Sequence, residues 1–169
     1  MEVTATAYRI NSCHYKNGRV PATGFPSPKE VVEELIRWGK GTSAIENTFT
    51  YATGLRTTPK QTYFVDGYYD AASNEAVVVL WKEVNSNKGD IYGLPRSDQP
   101  GAAGEVQKNT FDIKKYIPGF PIYFWFRFHD NSLIALLFDH SERGKSNLEN
   151  YVDGFMRHRA GKWVAVTKD

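Results

Sequence analysis

The chain of 169 residues is long enough to bury the core of one domain, and its aromatic content of 14% is higher than disordered chains carry. Its 21 lysine and arginine residues nearly balance 19 aspartate and glutamate residues, so the net charge of +2 does not by itself indicate nucleic-acid binding. The single cysteine, Cys13, excludes an internal disulfide and a cysteine-based zinc cluster.

The N-terminal part is predicted to contain one strand and one helix. Residues 3–10 read VTATAYRI, a run rich in β-branched side chains that predicts a strand. The segment 27–30 reads SPKE and predicts a helix start, because Ser27 and Glu30 have the spacing of a capping box and proline suits the first helical position. The helix is expected to end near the glycines at positions 39 and 41.

The middle of the chain is predicted to form a short strand and a hairpin. Residues 48–51 favour the short strand, and residues 62–70 and 75–84 favour the two strands of the hairpin. The run 76–81, AVVVLW, is apolar on both faces of a strand, so we expect it in the centre of a sheet with other elements packed on both sides. Residues 95–118, rich in proline and glycine, are expected to form a long loop.

The strongest folding signal lies between Tyr116 and Phe138. Two apolar, β-type runs flank a polar tetrapeptide, His129 to Ser132, a pattern typical of a β-hairpin. This segment holds five of the ten phenylalanines. It is therefore predicted to form the middle of the core.

A second amphipathic helix is expected to begin at Lys145 or Ser146, because Ser146 and Glu149 repeat the capping-box spacing. Residues 162–167 then favour a last strand. The whole pattern predicts one α+β domain over residues 1–169, with two principal helices on a mixed or mainly antiparallel sheet of about five to seven strands. The chain ends soon after the last strand, which is consistent with the N-terminal domain of a longer protein.

Neither a catalytic signature nor a metal or cofactor motif is found in the sequence, and an enzymatic activity is left open. The leading hypothesis is a non-enzymatic domain that binds nucleic acid through phosphate contacts. This hypothesis depends on basic residues that are concentrated in the last third of the chain. The predicted nucleic-acid-binding residues are Lys114, Lys115, Arg127, Arg143, Lys145, Arg157 and Arg159.

Alternation along the first strand of the central hairpin places Tyr123, Trp125 and Arg127 on one face and the phenylalanines on the other. An exposed tyrosine–tryptophan–arginine face would be a stacking platform of the kind that single-strand readers use. The commoner arrangement is a helix that covers such a face, and this is what we expect for Trp125.

Two alternative functions remain open. A metal-dependent nuclease or small hydrolase would use the carboxylates of Asp66, Asp70 and Glu75, with Lys82 further along the chain. A protein-interaction or oligomerisation domain, including a homodimer, would use the loop 95–118 and exposed aromatic residues. The aromatic candidates are Trp38, Tyr68, Tyr69 and Trp163.

A family resemblance adds a further expectation. A strand, a capped helix, a hairpin and a polar loop precede Gly119-Phe120-Pro121, which opens the aromatic strand, and an amphipathic helix follows. Over roughly residues 3–156, this order resembles the N-terminal part of the RexA-type phage-exclusion proteins. The resemblance implies a cytosolic, dimeric, DNA-binding sensor in abortive infection. The further C-terminal parts of that family have no counterpart in this chain, and no functional residue is carried over.

The segment at residues 1–10 lacks the basic and apolar regions of a signal peptide, and no apolar run is long enough to span a membrane. We therefore expect a cytoplasmic protein without a membrane partner.

Overall fold

The computed structural model describes residues 3–10, 26–50, 61–84, 91–102, 104–138 and 144–160. Within these residues it has the expected α+β architecture, with two helices and a seven-stranded sheet. The strands and helices, in chain order, are β1 (Val3–Arg9), α1 (Pro28–Gly41), β2 (Thr62–Asp70), β3 (Glu75–Glu83), β4 (Tyr92–Pro95), β5 (Gln107–Lys108), β6 (Tyr116–Arg127), β7 (Ser132–Phe138) and α2 (Gly144–His158). The strand expected at 162–167 lies outside the described residues.

The sheet is antiparallel, in the order β1-β7-β6-β3-β2. The long strand β6 lies at its centre and pairs with β3 along one edge and with β7 along the other. Gly119, near the start of β6, is opposite both Glu83 on β3 and Tyr92 on β4. β4 and β7 therefore pair with the same edge of β6, β4 near its start and β7 near its end. The predicted hairpin is confirmed as β6 and β7, and Asn131 in its turn adopts a φ of 55°.

One face of the sheet carries the main core. We call it the helix face, because α1 and α2 both pack on it. Its fully buried strand residues include Phe64, Val78, Ile122 and Phe124, and they meet helix residues such as Leu35 and Phe155. The phenylalanine side of β6 is therefore core, as the alternation predicted.

The start of α1 follows from local sequence. The Ser27 hydroxyl accepts a hydrogen bond from the Glu30 amide at 3.2 Å, and the Glu30 carboxylate accepts one from the Ser27 amide at 2.7 Å. These bonds satisfy amides that the first helical turn leaves without intrahelical partners. Near the other end of α1, Gly39 lies against the Phe64 ring, where a Cβ would come within 2.4 Å of a ring carbon. Glycine thus allows the close approach of α1 to β2.

The segment expected as a strand at residues 48–51 is not one over residues 48–50. It follows a 3₁₀ turn at Ile45–Asn47 and runs between β2 and α2. The Thr48 hydroxyl accepts from the Phe64 amide at 2.8 Å, and the Tyr151 hydroxyl donates to the Thr48 carbonyl. Side chains therefore supply hydrogen bonds here that a paired strand would obtain from backbone groups. A period-two sequence pattern does not reveal such side-chain bonds.

Two further expectations are corrected. Helix α2 begins at Gly144, so Ser146 lies within the first turn and is not the capping residue. Residues 76–81 do form a central strand, but packing on both faces holds only at the Trp81 end. There a second, smaller cluster covers the other face of the sheet, formed by Ile45, Tyr63, Trp81, Leu94 and Ile117. At the opposite end of β3, the side chain of Val77 is 41% exposed.

Candidate interaction surface on the sheet

A row of side chains crosses the sheet on the face opposite the helices. Ala7 pairs with Ile134, Ile134 with Trp125, Trp125 with Val77, and Val77 with Tyr68. Directly paired residues of antiparallel strands share a face, so these five side chains form one line across five strands, roughly 19 Å long at about 4.8 Å per strand. We call this line and its flanking residues the open face.

Solvent exposure of large apolar residues is concentrated on the open face. In the described part of the chain, six large apolar residues are exposed, and the four on this face are Val3, Tyr68, Val77 and Trp125. Tyr68 is 67% exposed and Trp125 is 36% exposed. The neighbouring row adds the partly buried residues Tyr123, Val79 and Leu136. A contiguous apolar surface of this kind is typical of an interaction site.

The expectation that a helix covers Trp125 is therefore wrong for both described helices. They pack on the helix face, where Phe124 and Phe126 point, whereas Trp125 points to the opposite side. Alternation along β6 correctly predicted which side chains share a face of the sheet, but it did not determine which face the helices cover. The paired residue Val77 was also missed, because the apolar run of β3 looks buried on both sides.

Polar contacts hold the Trp125 ring at one border of the open face. Its indole N–H donates to the Glu75 carboxylate at 3.0 Å, and the Arg127 guanidinium lies 5.8 Å from the ring centroid. Arg127 also forms ion pairs with Glu75 at 3.6 Å and with Asp130 at 3.1 Å. The ring therefore has a fixed orientation and presents apolar surface to solvent without a large loss of side-chain freedom on binding.

The charged groups at this border are more acidic than basic. The Ser132 hydroxyl donates to Asp130 at 2.6 Å, and this hydrogen bond lowers the pKa of Asp130. A similar bond from the Ser73 hydroxyl at 2.7 Å lowers the pKa of Asp70. Both carboxylates are therefore ionised at neutral pH. With Glu75, they make three carboxylates against the two arginines at this border, Arg9 and Arg127.

The structure separates the predicted nucleic-acid-binding residues. Lys114 and Lys115 precede β6, whereas Arg127 ends it, and a strand of 12 residues is about 36 Å long. Lys145 and Arg157 lie near opposite ends of α2, roughly 18 Å apart along the helix axis. Arg143 lies outside the described residues.

Several of these cations contact neighbouring protein groups. Lys145 lies 3.6 Å from Glu149, and Arg157 donates to both oxygens of Asp153 at 2.9 Å. Arg159 donates to the Phe49 carbonyl at 3.3 Å. The structure thus offers no single basic surface within the described residues that contains all of them. Their role in binding nucleic acid stays a prediction.

The carboxylates of the nuclease hypothesis have structural partners. Asp66 lies 3.2 Å from Lys40, Asp70 accepts hydrogen bonds within its own turn, and Glu75 holds Trp125 and Arg127. Lys82 pairs with Thr62 and Phe120, so it projects from the helix face, away from Glu75. Within the described residues, no three metal-ligating side chains of this chain come together.

The aromatic residues of the interaction hypothesis have different environments. Tyr68 is on the open face, whereas Tyr69 and Trp38 are partly buried against the main core. Trp38 packs on Phe155 with ring centroids 5.4 Å apart. Trp163 lies outside the described residues. Of this set, Tyr68 is therefore the residue that the structure places in the apolar row.

No family model, curated protein or solved structure matches this chain. Within the described residues, neither helix has the length and apolar character needed to cross a bilayer. The phage-defence role implied by the resemblance to RexA-type proteins stays a prediction.

Proposed function

We propose that this domain is a protein-interaction module that binds its partner through the open face. The observation that carries the proposal is the continuous row from Ala7 to Tyr68, which lies opposite both helices and includes the exposed side chains of Val77 and Trp125. Burial of apolar surface drives most protein association, and tryptophan and tyrosine are enriched among the residues that contribute most to it.

The border charges define the chemistry of the partner. The carboxylates of Asp70, Glu75 and Asp130 outnumber the arginines at this border, so a complementary surface has an apolar centre flanked by lysine or arginine side chains. The same excess of carboxylates repels a phosphate backbone. Charge therefore favours a protein partner over a nucleic acid at this surface.

Site-specific photo-cross-linking tests this proposal. A benzophenone amino acid is introduced at Val77 in the full chain, and a matched variant carries it at Glu149, an exposed position of α2. We expect a defined cross-linked protein from the Val77 position and none of it from Glu149. The purified cross-linked protein should bind the unmodified chain, and Val77→Lys should weaken that binding at least tenfold. Equal labelling from both positions, or binding unchanged by Val77→Lys, would contradict the proposal.

One observation favours nucleic-acid binding as a second candidate function. The Arg127 guanidinium over the Trp125 ring, with Tyr123 two residues earlier on the same face, is the arrangement on which unpaired bases stack. Binding in this mode would add stacking on Trp125 to salt-dependent phosphate contacts from Arg127 and the other predicted basic residues.

Fluorescence titration with single-stranded DNA and RNA oligonucleotides, at low and high salt, tests this candidate. Stacking predicts quenching of tryptophan fluorescence and a strong loss of affinity with added salt. Trp125→Ala should weaken binding by about 5- to 150-fold, because stacking contributes roughly 1–3 kcal/mol per base. Val106→Ala, an exposed apolar position away from the row, is the control. Affinity that neither salt nor Trp125→Ala changes would exclude this mode.

A further inference from the structure

Strand β1 presents an unpaired edge within the described part of the chain. All seven of its residues pair with β7 on one side. The Ile10 amide donates to the Asn131 carbonyl at 2.7 Å, which fixes the phase of the alternating hydrogen bonds between these strands. The amides and carbonyls that point away from β7 therefore belong to Val3, Ala5, Ala7 and Arg9.

The opposite edge of the sheet is protected. Strand β2 has an irregular register between Phe64 and Asp66, and the Thr48 hydroxyl bonds both the amide and the carbonyl of Phe64 at 2.8 and 3.2 Å. The Gly101 amide donates to the Val65 carbonyl at 2.8 Å. Bulges and covering loops of this kind prevent further strands from pairing at an edge.

Among the residues that the structure describes, neither a bulge nor a covering loop protects β1 over Val3–Arg9. Its sequence, VTATAYR, contains neither proline nor lysine, and its register with β7 is continuous. Five of its seven residues are exposed, and the other two are partly buried. A regular edge of this length is a template for another strand.

We propose that the edge of β1 binds β1 of a second copy of this chain, antiparallel, about a two-fold axis at Thr6. Two-fold rotation makes two copies of one strand antiparallel, so the edge is complementary to itself. In this register Ala5 is opposite Ala7 of the partner subunit, and Val3 is opposite Arg9 of the partner subunit. The outward-facing groups then meet in four pairs with about eight hydrogen bonds.

Side-chain size and charge are compatible with this register. Ala5, Thr6 and Ala7 at the centre are small, and the single charge of the strand, on Arg9, faces a valine instead of a second arginine. The two sheets join into one, and their open faces become continuous. This edge is a different surface from the row that contains Trp125, so the inference goes beyond the proposed function and is tested separately.

A contact limited to two seven-residue strands is expected to bury less than the roughly 1,200 Å² at the low end of specific complexes. We therefore expect a weak dimer, with a dissociation constant on the order of micromolar. Experiments should therefore span concentrations from well below to well above this value.

Disulfide trapping tests the register in a Cys13→Ser background, since Cys13 is the sole cysteine of the chain. At the two-fold axis, Thr6 faces its own copy with Cα atoms about 4.5 Å apart, within disulfide range. Thr4 and its copy are offset by four residues, or about 13 Å, and are too far apart. Thr6→Cys should therefore form a disulfide dimer under mild oxidation, and Thr4→Cys should form less than a tenth as much. Equal cross-linking, or none in Thr6→Cys, would overturn the proposal.

Hydrogen exchange of the full chain gives an independent test. The outward amides of Ala5, Ala7 and Arg9 should become protected as concentration rises, whereas the inward amide of Thr6 should be protected throughout. Ala5→Pro removes one outward donor without touching the bonds to β7, and it should lower dimer formation at least tenfold. A monomer at every concentration would overturn the proposal. So would concentration-independent protection of the outward amides, since it would place a strand of the same chain on this edge.

Discussion

Replacing Val78 by threonine is expected to destabilise the protein, whereas the same replacement at Val77 should have almost no effect. The two valines are neighbours on β3 and point to opposite faces of the sheet. Val78 is fully buried on the helix face opposite Phe124, and Val77 is 41% exposed opposite Trp125. Because the chemical change is identical, the pair isolates the effect of burial.

The expected loss in the free energy of unfolding follows from the desolvation of the threonine hydroxyl. At Val78 a hydroxyl replaces a methyl group among apolar side chains, which costs about 1–3 kcal/mol when the hydroxyl lacks a partner. At Val77 the hydroxyl stays in contact with water and threonine suits a strand, so the change is within about 0.5 kcal/mol.

Urea unfolding followed by far-UV circular dichroism measures both values. For a chain of this size, with a slope of about 2 kcal/mol/M, Val78→Thr should lower the midpoint by roughly 0.5–1.5 M at an unchanged slope. Val77→Thr should move it by less than about 0.25 M. Equal losses at both positions would show that the open face is covered. Val78→Thr without any loss would show that the helix face is not the core.

Three further predictions concern stability. Gly119→Ala should cost about 3 kcal/mol or more, because its Cβ would lie 2.1 Å from the Lys82 carbonyl oxygen, and near-native melting would contradict this packing. Ser27→Ala should lower the free energy of unfolding by about 1 kcal/mol in urea melts through loss of the helix cap, while Ser27→Thr should retain most of it. Burial raises the pKa of Tyr63 to about 12 from 10.0, with the nearby Glu83 carboxylate adding to the rise. The folded state therefore holds the Tyr63 proton more tightly than the unfolded state does. The stabilisation of the fold that results is complete below pH 10 and is lost as pH rises toward 12. Tyr63→Phe should remove that part of the alkaline destabilisation, and parallel pH profiles for the two proteins would contradict the assignment.

The elements that local sequence predicted well are those stabilised by contacts close in the chain. Four consecutive residues, 27–30, predict the capping box, and its hydrogen bonds join Ser27 and Glu30 within that segment. The hairpin of β6 and β7 was read from two apolar runs around a short polar turn. The described part of α2 already includes Gly144, ahead of the predicted start, because the Ser146 and Glu149 spacing also occurs inside a helix.

The expectations that failed depend on contacts between distant segments. Residues 48–50 looked suited to a strand, but the Thr48 side chain bonds the backbone of β2, and Tyr151 of α2 fixes the Thr48 carbonyl. The distances between the basic residues likewise depend on how far apart the two ends of β6 and of α2 lie. Local sequence encodes neither the long-range contacts of Thr48 nor the distances between the basic residues.

The sequence by itself determined both helices and the long strands β1, β2, β3, β6 and β7, and also which side chains of a strand share a face, because these properties follow from backbone geometry with a fixed period. Only the tertiary structure decided which face is covered. Apolar side chains occupy both sides of β3 and β6, and period-two alternation is the same for a buried side and an open one. Both helices pack on one side, and strand pairing then brings Tyr68, Val77 and Trp125 into one line on the other. The candidate interaction surface exists because of that choice of side.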